Sequence, residues 1–379
     1  MNNAINNENK KLNVPNLRFK EFQGEWEYFL INDVCSEFKS GKNIKADSVF
    51  ECGEYPVYGG NGLRGYTSSY NHEGSYVLIG RQGALCGNVR SVYGKTYITE
   101  HAIAVAGNEK SNTNFLHYLF LKMNLGQYSD QSAQPGLAVN KLLKLKVALP
   151  IISEQTKIAK FLSLLDERIA TQNKIIDKLQ TLIRGISNKL LNTDYGKKTR
   201  LGDILNECSE RTKVNNQYEV LSSTVNGLFS QREYFTKDIA SENNIGYKIL
   251  RLHDVVLSPQ NLWMGNINYN DKFEIGIVSP SYKIFSIVDG YDKKYVSALL
   301  KTHRALYNYS LVSEQGASVV RRNLNSEAFE QLTFIIPPIA KQRAIGYTIS
   351  LLRYRLEIEN MLKVTYLSQK QYLLRQMFI

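Results

Sequence analysis

The strongest constraint on this 379-residue chain is that part of it is written twice. Leu149-Pro150-Ile151-Ile152-Ser153-Glu154-Gln155 returns 187 residues later as Ile336-Pro337-Pro338-Ile339-Ala340-Lys341-Gln342. The register then holds without a gap to Leu191 and Phe378. Through it Ile158 meets Ile345, Leu162 meets Ile349, Leu165 meets Leu352, and Ile169 meets Leu356. Upstream, Leu145, Val147 and Leu149 fall on Leu332, Phe334 and Ile336, the alternation of a strand. Each copy therefore predicts a strand, a proline stop and a long helix.

The first helix spaces Ile158, Leu162, Leu165, Ile169, Gln172, Ile176, Leu179, Ile183, Ile186 and Leu190 at alternating steps of four and three. Apolar residues at that period form a coiled-coil seam rather than a broad globular face. Ser153 is the expected N-cap, with Glu154 placed favourably in the first turn. The second helix continues the seam at Ile345, Ile349, Leu352, Leu356, Tyr366, Leu373 and Met377 and interrupts it with Glu359, Lys363 and Lys370. Gln172 and Glu359 share one repeat position, where a polar residue can set register. A helix over Ser153–Leu191 would span about 58 Å at about 1.5 Å per residue.

Between the repeats lie two Gly- and Tyr-rich blocks, roughly Leu17–Leu149 and Arg200–Pro337. Both read as mixed α/β domains weighted toward strands, as in Tyr76-Val77-Leu78-Ile79 and Tyr282-Lys283-Ile284-Phe285. Their openings are alike, Ile31-Asn32-Asp33-Val34 echoing Leu201-Gly202-Asp203-Ile204, while their interiors are not. A duplicated frame with two divergent inserts suits inserts that each recognise something different.

Lys and Arg outnumber Asp and Glu by 47 to 35, a formal charge of +12 that favours an anionic partner such as nucleic acid. The two helices hold +3 and +5 of it, leaving the blocks close to neutral. That charge could face an acidic protein surface or a DNA backbone, or be no more than a solvated basic face. Cys35, Cys52, Cys86 and Cys208 are scattered, and none of the five His residues pairs at metal-ligand spacing. No secretory leader opens the chain, Met1–Lys11 reads as a loose polar tail, and no run approaches the length of a membrane helix. A reducing cytoplasm is the expected compartment.

Three motifs point toward catalysis and fall short of it. Gly60-Asn61-Gly62-Leu63-Arg64-Gly65 fits G-x-G-x-x-G, but Tyr66-Thr67-Ser68-Ser69-Tyr70-Asn71 is poor material for the helix that would hold phosphates, so a tight loop is expected. Ser279-Pro280-Ser281-Tyr282 is similar to the Asn/Asp-Pro-Pro-Tyr/Phe signature of amino-methyltransferases but lacks its polar first residue. Glu37-Phe38-Lys39 behind Asp33 is a fragment of a nuclease pattern, short enough to arise by chance. The sequence contains no G-x-x-x-x-G-K-S/T phosphate loop.

Two variable blocks alternating with two proline-led helices resemble the specificity subunit of type I restriction–modification systems, over nearly the whole chain. The motifs that carry the resemblance are Tyr55-Pro56-Val57-Tyr58-Gly59-Gly60-Asn61-Gly62, Leu78-Ile79-Gly80-Arg81-Gln82-Gly83 and Ala133-Gln134-Pro135-Gly136-Leu137 in the first block. In the second they are Gly227-Leu228-Phe229-Ser230-Gln231 and Gly276-Ile277-Val278-Ser279-Pro280-Ser281-Tyr282. The resemblance implies an α+β fold: two mixed α/β target recognition domains, separated by two long antiparallel coiled-coil helices with a pseudo-twofold internal repeat. The expected divisions are a disordered tail 1–16, recognition domains 17–149 and 196–337, and spacer helices 150–195 and 338–379.

It further implies a non-catalytic subunit of a type I endonuclease and adenine-N6 methyltransferase. Each domain would read half of a bipartite double-stranded DNA target. The helices would dock two modification subunits, with restriction subunits joining them. S-adenosylmethionine, ATP and Mg are expected on those partners and no cofactor on this chain. The seam residues Ile158, Leu162, Leu165, Ile169, Ile176, Leu179, Ile345, Ile349, Leu352 and Leu356 are the coiled-coil or docking candidates. One departure from the family is Lys341, where an acidic residue usually precedes Gln. For base reading, polar residues in Gly-rich loops are the candidates: Asn61, Arg64, Arg81 and Gln82, then Gln231, Arg232, Gln260, Asn261, Arg321 and Arg322. Arg suits guanine and Asn or Gln suits adenine, although each could equally be a structural or phosphate contact. A self-contained DNA methyltransferase or nuclease with diverged motifs, and a coiled-coil scaffold that binds no DNA, stand as alternatives.

Overall fold

The structure, a computed structural model, describes residues 13–130, 135–234, 243–315 and 321–379. It divides into two compact units: Met1–Asn173 with Met361–Ile379, and Lys174–Asn360. Each unit joins one block to parts of both long helices. Of the expected loose tail 1–16, residues 1–12 lie outside the described residues, and the Asn13 carbonyl accepts the Trp26 N–H at 2.8 Å.

The first unit opens with β1 (Glu27–Leu30), the helical turn α1 (Ile31–Val34) and β2 (Cys35–Ser40). There follow β3 (Tyr55–Gly59), β4 (Gly62–Thr67), β5 (His72–Gly80), β6 (Val89–Ile98) and β7 (Ala102–Gly107). Next come α2 (Thr113–Met123), α3 (Val139–Leu142), β8 (Lys146–Leu149) and the long α4 (Ile152–Leu191). Six strands form one sheet in the order β2-β7-β5-β6-β3-β4, antiparallel except for the β3–β6 pair. β1 pairs with β8 and so brings the start of the block back to the foot of α4. One apolar core joins Val34, Phe115 and Phe120 of the block to Ile158 and Leu162 of α4 and to Leu373, Met377 and Phe378 near the C-terminus.

The second unit repeats the frame around a different interior. β9 (Lys197–Arg200), β10 (Leu205–Cys208), β11 (Leu221–Thr224), β12 (Gly227–Ser230), α5 (Gln231–Tyr234), β13 (Lys248–Arg251), β14 (Val255–Leu257), β15 (Ile267–Tyr269), β16 (Ile275–Val278) and β17 (Lys283–Ile287) come first. Then follow α6 (Lys293–Leu299), α7 (His303–Leu311), β18 (Ser313–Gln315), β19 (Arg322–Leu324), α8 (Ser326–Glu330), β20 (Thr333–Ile336) and α9 (Ile339–Gln376). β9 pairs with β20 as β1 pairs with β8. The principal sheet has four strands, β10-β17-β14-β15, and the remaining strands form two-stranded pairs. The echo between the two openings is structural: Ile31 and Val34, like Leu201 and Ile204, are buried in the turn after the first strand.

Both long helices present the expected seam inward. Every expected seam position of α4, from Ile158 to Leu190, is buried or half-buried, and so are those of α9 from Ile345 to Met377. α9 runs unbroken through the charged interruptions, and two of the three find opposite charges. Lys370 pairs with Asp166, and Arg355 pairs with the buried Glu359. Helix contacts in the first unit run antiparallel, with Asp166 against Lys370 and Arg168 over the Tyr366 ring. Ser153 is not a cap, since α4 begins one residue earlier and the Ile151 carbonyl takes the Gln155 N–H. The first-turn carboxylate of Glu154 is fully buried and holds the Arg18 guanidinium through two bonds of 2.8 and 2.7 Å. Its counterpart Lys341 is exposed, with its ammonium 5.4 Å from the Tyr195 ring.

Candidate nucleic-acid interface

The blocks are attached to the helices by the same device twice. In the first unit the buried Gln155 carboxamide accepts the Asn112 N–H at 2.8 Å and donates to the Pro150 and Lys110 carbonyls at 2.8 and 2.9 Å. In the second, Gln342 accepts the Asp292 N–H at 3.0 Å and donates to the Pro337 carbonyl at 2.8 Å. Asn112 and Asp292 are themselves N-caps, of α2 and α6, so one side chain ties a capped helix of the block to the proline stop. Sequence exposed the repeated Pro and Gln but not this bonding, because the acceptors and donors lie far away in the chain.

In the first unit the candidates converge at one end of the six-stranded sheet. Asn61 is exposed in the two-residue turn between β3 and β4. Gly60 beside it leaves no room for a side chain, since a Cβ there would stand 2.6 Å from the His101 carbonyl and 3.3 Å from Gly80 Cα. The hairpin tip is thereby pressed against the end of β5, where Arg81 and Gln82 follow. The Arg81 backbone is held on both sides, its N–H by the His101 carbonyl and its carbonyl by the Leu137 N–H, each at 2.9 Å. Gln82 bridges to Gly136, and Gly83 donates to the Pro135 carbonyl at 3.0 Å. Pro135-Gly136-Leu137 therefore braces the Arg81 loop, while Ala133 and Gln134 of that motif lie outside the described residues. Arg64 is the unpaired residue of a bulge, opposite the step from Val57 to Tyr58, and bulges re-aim side chains. The G-x-G-x-x-G run is thus a hairpin and no helix follows it.

Sequence reasoning missed Arg90. Its guanidinium lies against Gly62 at the same hairpin tip, where a Cβ would stand 3.2 Å from its central carbon and the φ of +107° already favours glycine. No local signal marks Arg90, an exposed residue near the start of β6.

In the second unit the structure brings four of the six candidates together. Gln260 is exposed and its carbonyl accepts the Arg322 N–H at 3.1 Å, with Arg321 exposed next to it. The Asn261 carbonyl accepts the N–H groups of Met264 and Asn266 and folds the loop that carries Trp263. The Arg322 guanidinium lies over the Trp263 ring, 4.3 Å from its centroid, in cation–π contact. Among the described residues its Nε is buried without a hydrogen-bond partner. Gln231 and Arg232 sit on a different element, α5, where Arg232 is exposed and, among the described residues, Gln231 Oε1 is buried without a hydrogen-bond partner.

The motifs reminiscent of catalysis have structural uses. Tyr282 donates its hydroxyl to the Ser223 carbonyl at 3.1 Å, which turns the ring into the block. Glu37 lies 3.0 Å from His72 Nε2 and 3.2 Å from Lys39 Nζ. Burial opposes its charge, yet those two neighbours hold its pKa below the usual value.

Two divergent, strand-rich blocks, each clipped to a proline-led long helix, are the architecture that the resemblance to type I restriction–modification specificity subunits implies. The comparisons agree. Residues 23–181 match the type I restriction modification DNA specificity domain. The EcoprrI specificity subunit of Escherichia coli is 42% identical over 175 residues, which are 45% of this chain and 40% of that protein. The alignment thus spans less than half of the relative's length. The crystal structure of a type I system S subunit from M. genitalium superposes over 97% of this chain and 99% of its own, with a TM-score of 0.66 and 15% identity. A chain from a type I system studied for complex assembly and conformational transition covers 93% and 97%, at a TM-score of 0.52 and 13% identity. The domain match covers residues 23–181, under half of the chain, and the likeness to solved S subunits shows a shared fold over nearly all of it.

Proposed function

We propose that this chain reads DNA for a cytoplasmic type I restriction–modification assembly and carries out no chemistry itself. Each block reads one half of a bipartite duplex site, and the helices dock two modification subunits, which restriction subunits join. S-adenosylmethionine, ATP and Mg act on those subunits. The observation that carries the reading is the pairing of a repeated attachment with unlike reading surfaces: Gln155 and Gln342 each accept an N-cap N–H and donate to the proline carbonyl, whereas the polar clusters around Arg81 and Arg322 share no motif. Among the described residues no helix is long and apolar enough to cross a membrane.

The test is methylation of a randomised DNA library by the reconstituted complex. Arg81→Ala and Arg321→Ala should each relax one position, in opposite half-sites, at roughly 1–3 kcal/mol. Equal weakening on every sequence would make that residue a phosphate contact. Methyl transfer by the purified chain alone would overturn the non-catalytic assignment.

A further inference from the structure

Corresponding cavities of about 390 and 340 Å³ open in the two units, each between a clipped helix of the block and a long helix. In the first unit α2 contributes His117 and Tyr118, and α4 contributes Ser163 and Asp166. In the second, α6 contributes Ser297, and α9 contributes Ser350, Arg353 and Tyr354. The repeat carries Asp166 onto Arg353, and aligning the two N-caps carries Tyr118 onto Ala298.

The first cavity is chemically complete. Asp166 accepts the Tyr118 hydroxyl at 2.9 Å and pairs with Lys370. In the second unit all three members of that triad are replaced: Arg353 reverses the charge, Ala298 has no hydroxyl, and the repeat places Ile183 where Lys370 stood. Among the described residues the half-buried Arg353 guanidinium has no hydrogen bond or ion pair and feels Asp271 only through charge. Nearby Lys301 spends its ammonium on the Gly265 carbonyl at 2.9 Å, and Lys272 faces Glu357 at 3.5 Å. A guanidinium carries five donors, and one half-withdrawn from water without protein acceptors is poorly compensated in the free chain.

Beside the mouth, Tyr347, Leu351 and Tyr354 form a row along α9 at steps of four and three, and each is more than half exposed. The repeat places Lys160, Leu164 and Glu167 at those positions on α4. An apolar row next to an unmatched cation suits a protein surface that presents one acid among apolar side chains. It offers little to a phosphate backbone, and Asp271 and Glu357 at the pocket disfavour a multiply charged anion.

We propose that the Arg353 pocket receives a carboxylate side chain of the protein that seats on this face of α9. The inference rests on the docking role proposed above and names the anchor. Arg353 then forms the bidentate pair that its surroundings withhold in the free chain.

The experiment titrates the full chain with the modification subunit of its own system. Arg353→Met should weaken the affinity at least about tenfold, and Arg353→Lys should recover part of it. Because Met removes an unmatched charge, the melting temperature of the free variant should hold or rise, whereas a structural role would lower it. Tyr354→Ala, at an exposed position, should weaken affinity about fivefold and gives the answer even where Arg353→Met folds poorly. Full affinity of both variants overturns the pocket and leaves the docking role standing, whereas a native chain that fails to bind the subunit ends both. Unchanged subunit affinity with weaker DNA retention by the assembled Arg353→Met complex would make the occupant a phosphate and overturn the carboxylate.

Discussion

The two units share their attachment and differ in almost everything that the attachment carries. Both enter through a two-stranded pair, both close a short turn after it, and both lock a capped helix with a buried glutamine. One then builds a continuous six-stranded sheet and the other a four-stranded sheet with separate pairs. The difference teaches where each constraint acts. The attachment must satisfy buried backbone groups in one geometry, and few side chains other than Gln reach both an N–H and a carbonyl there. A reading surface needs only a stable platform behind it, so its interior was free to diverge.

The comparison breaks hardest at the clip. Gln155→Ala should cost roughly 3–5 kcal/mol, since it strands buried donors and acceptors and opens a void. Gln342→Ala should cost less, because among the described residues Gln342 donates to the proline carbonyl alone where Gln155 also donates to Lys110. Denaturant unfolding monitored separately in each unit would show each variant destabilising its own unit first. Equal losses in both units from either variant would mean that the clips do not act locally.

A pH titration sharpens the comparison next. Burial, aided by the positive charge of Lys370, holds the His117 imidazole down to a pKa of about 4 from 6.5. Between those values the unfolded chain binds a proton that the folded unit refuses. The stability contributed is full above pH 6.5 and falls as pH drops toward 4, by up to about 3 kcal/mol. Ser297 occupies the matching place in the second unit and has no such dependence. His117→Gln should flatten the acid limb of the first unit's stability curve. An unchanged limb would show that other groups set it.

The smallest effect tests the methyltransferase-like motif. Tyr282→Phe removes one hydrogen bond, to the Ser223 carbonyl, and should cost about 1 kcal/mol of stability in the second unit. Methylation by the reconstituted complex should keep its rate and its sequence. A collapse of turnover at unchanged DNA affinity would restore a catalytic role to Ser279–Tyr282.

Much of this was legible from periodicity, because a repeat and a seam depend on spacing that the chain carries along itself. The strand–proline–helix copies, the ten seam positions of α4 and the tight loop at Gly60–Gly65 follow from such local rules. Helix starts were less legible: Ser153 has the chemistry of a cap, but the Ile151 carbonyl takes that place and Glu154 is drawn inward by Arg18. What only the tertiary structure decided is which distant groups meet. Gln155 reaches Asn112, Arg90 meets the Gly62 turn, Arg322 lies on Trp263, and Asp166 finds Lys370 more than two hundred residues away. These contacts depend on how sheets and helices bring remote backbone together, and a single strand or helix carries no trace of the side chain it will face.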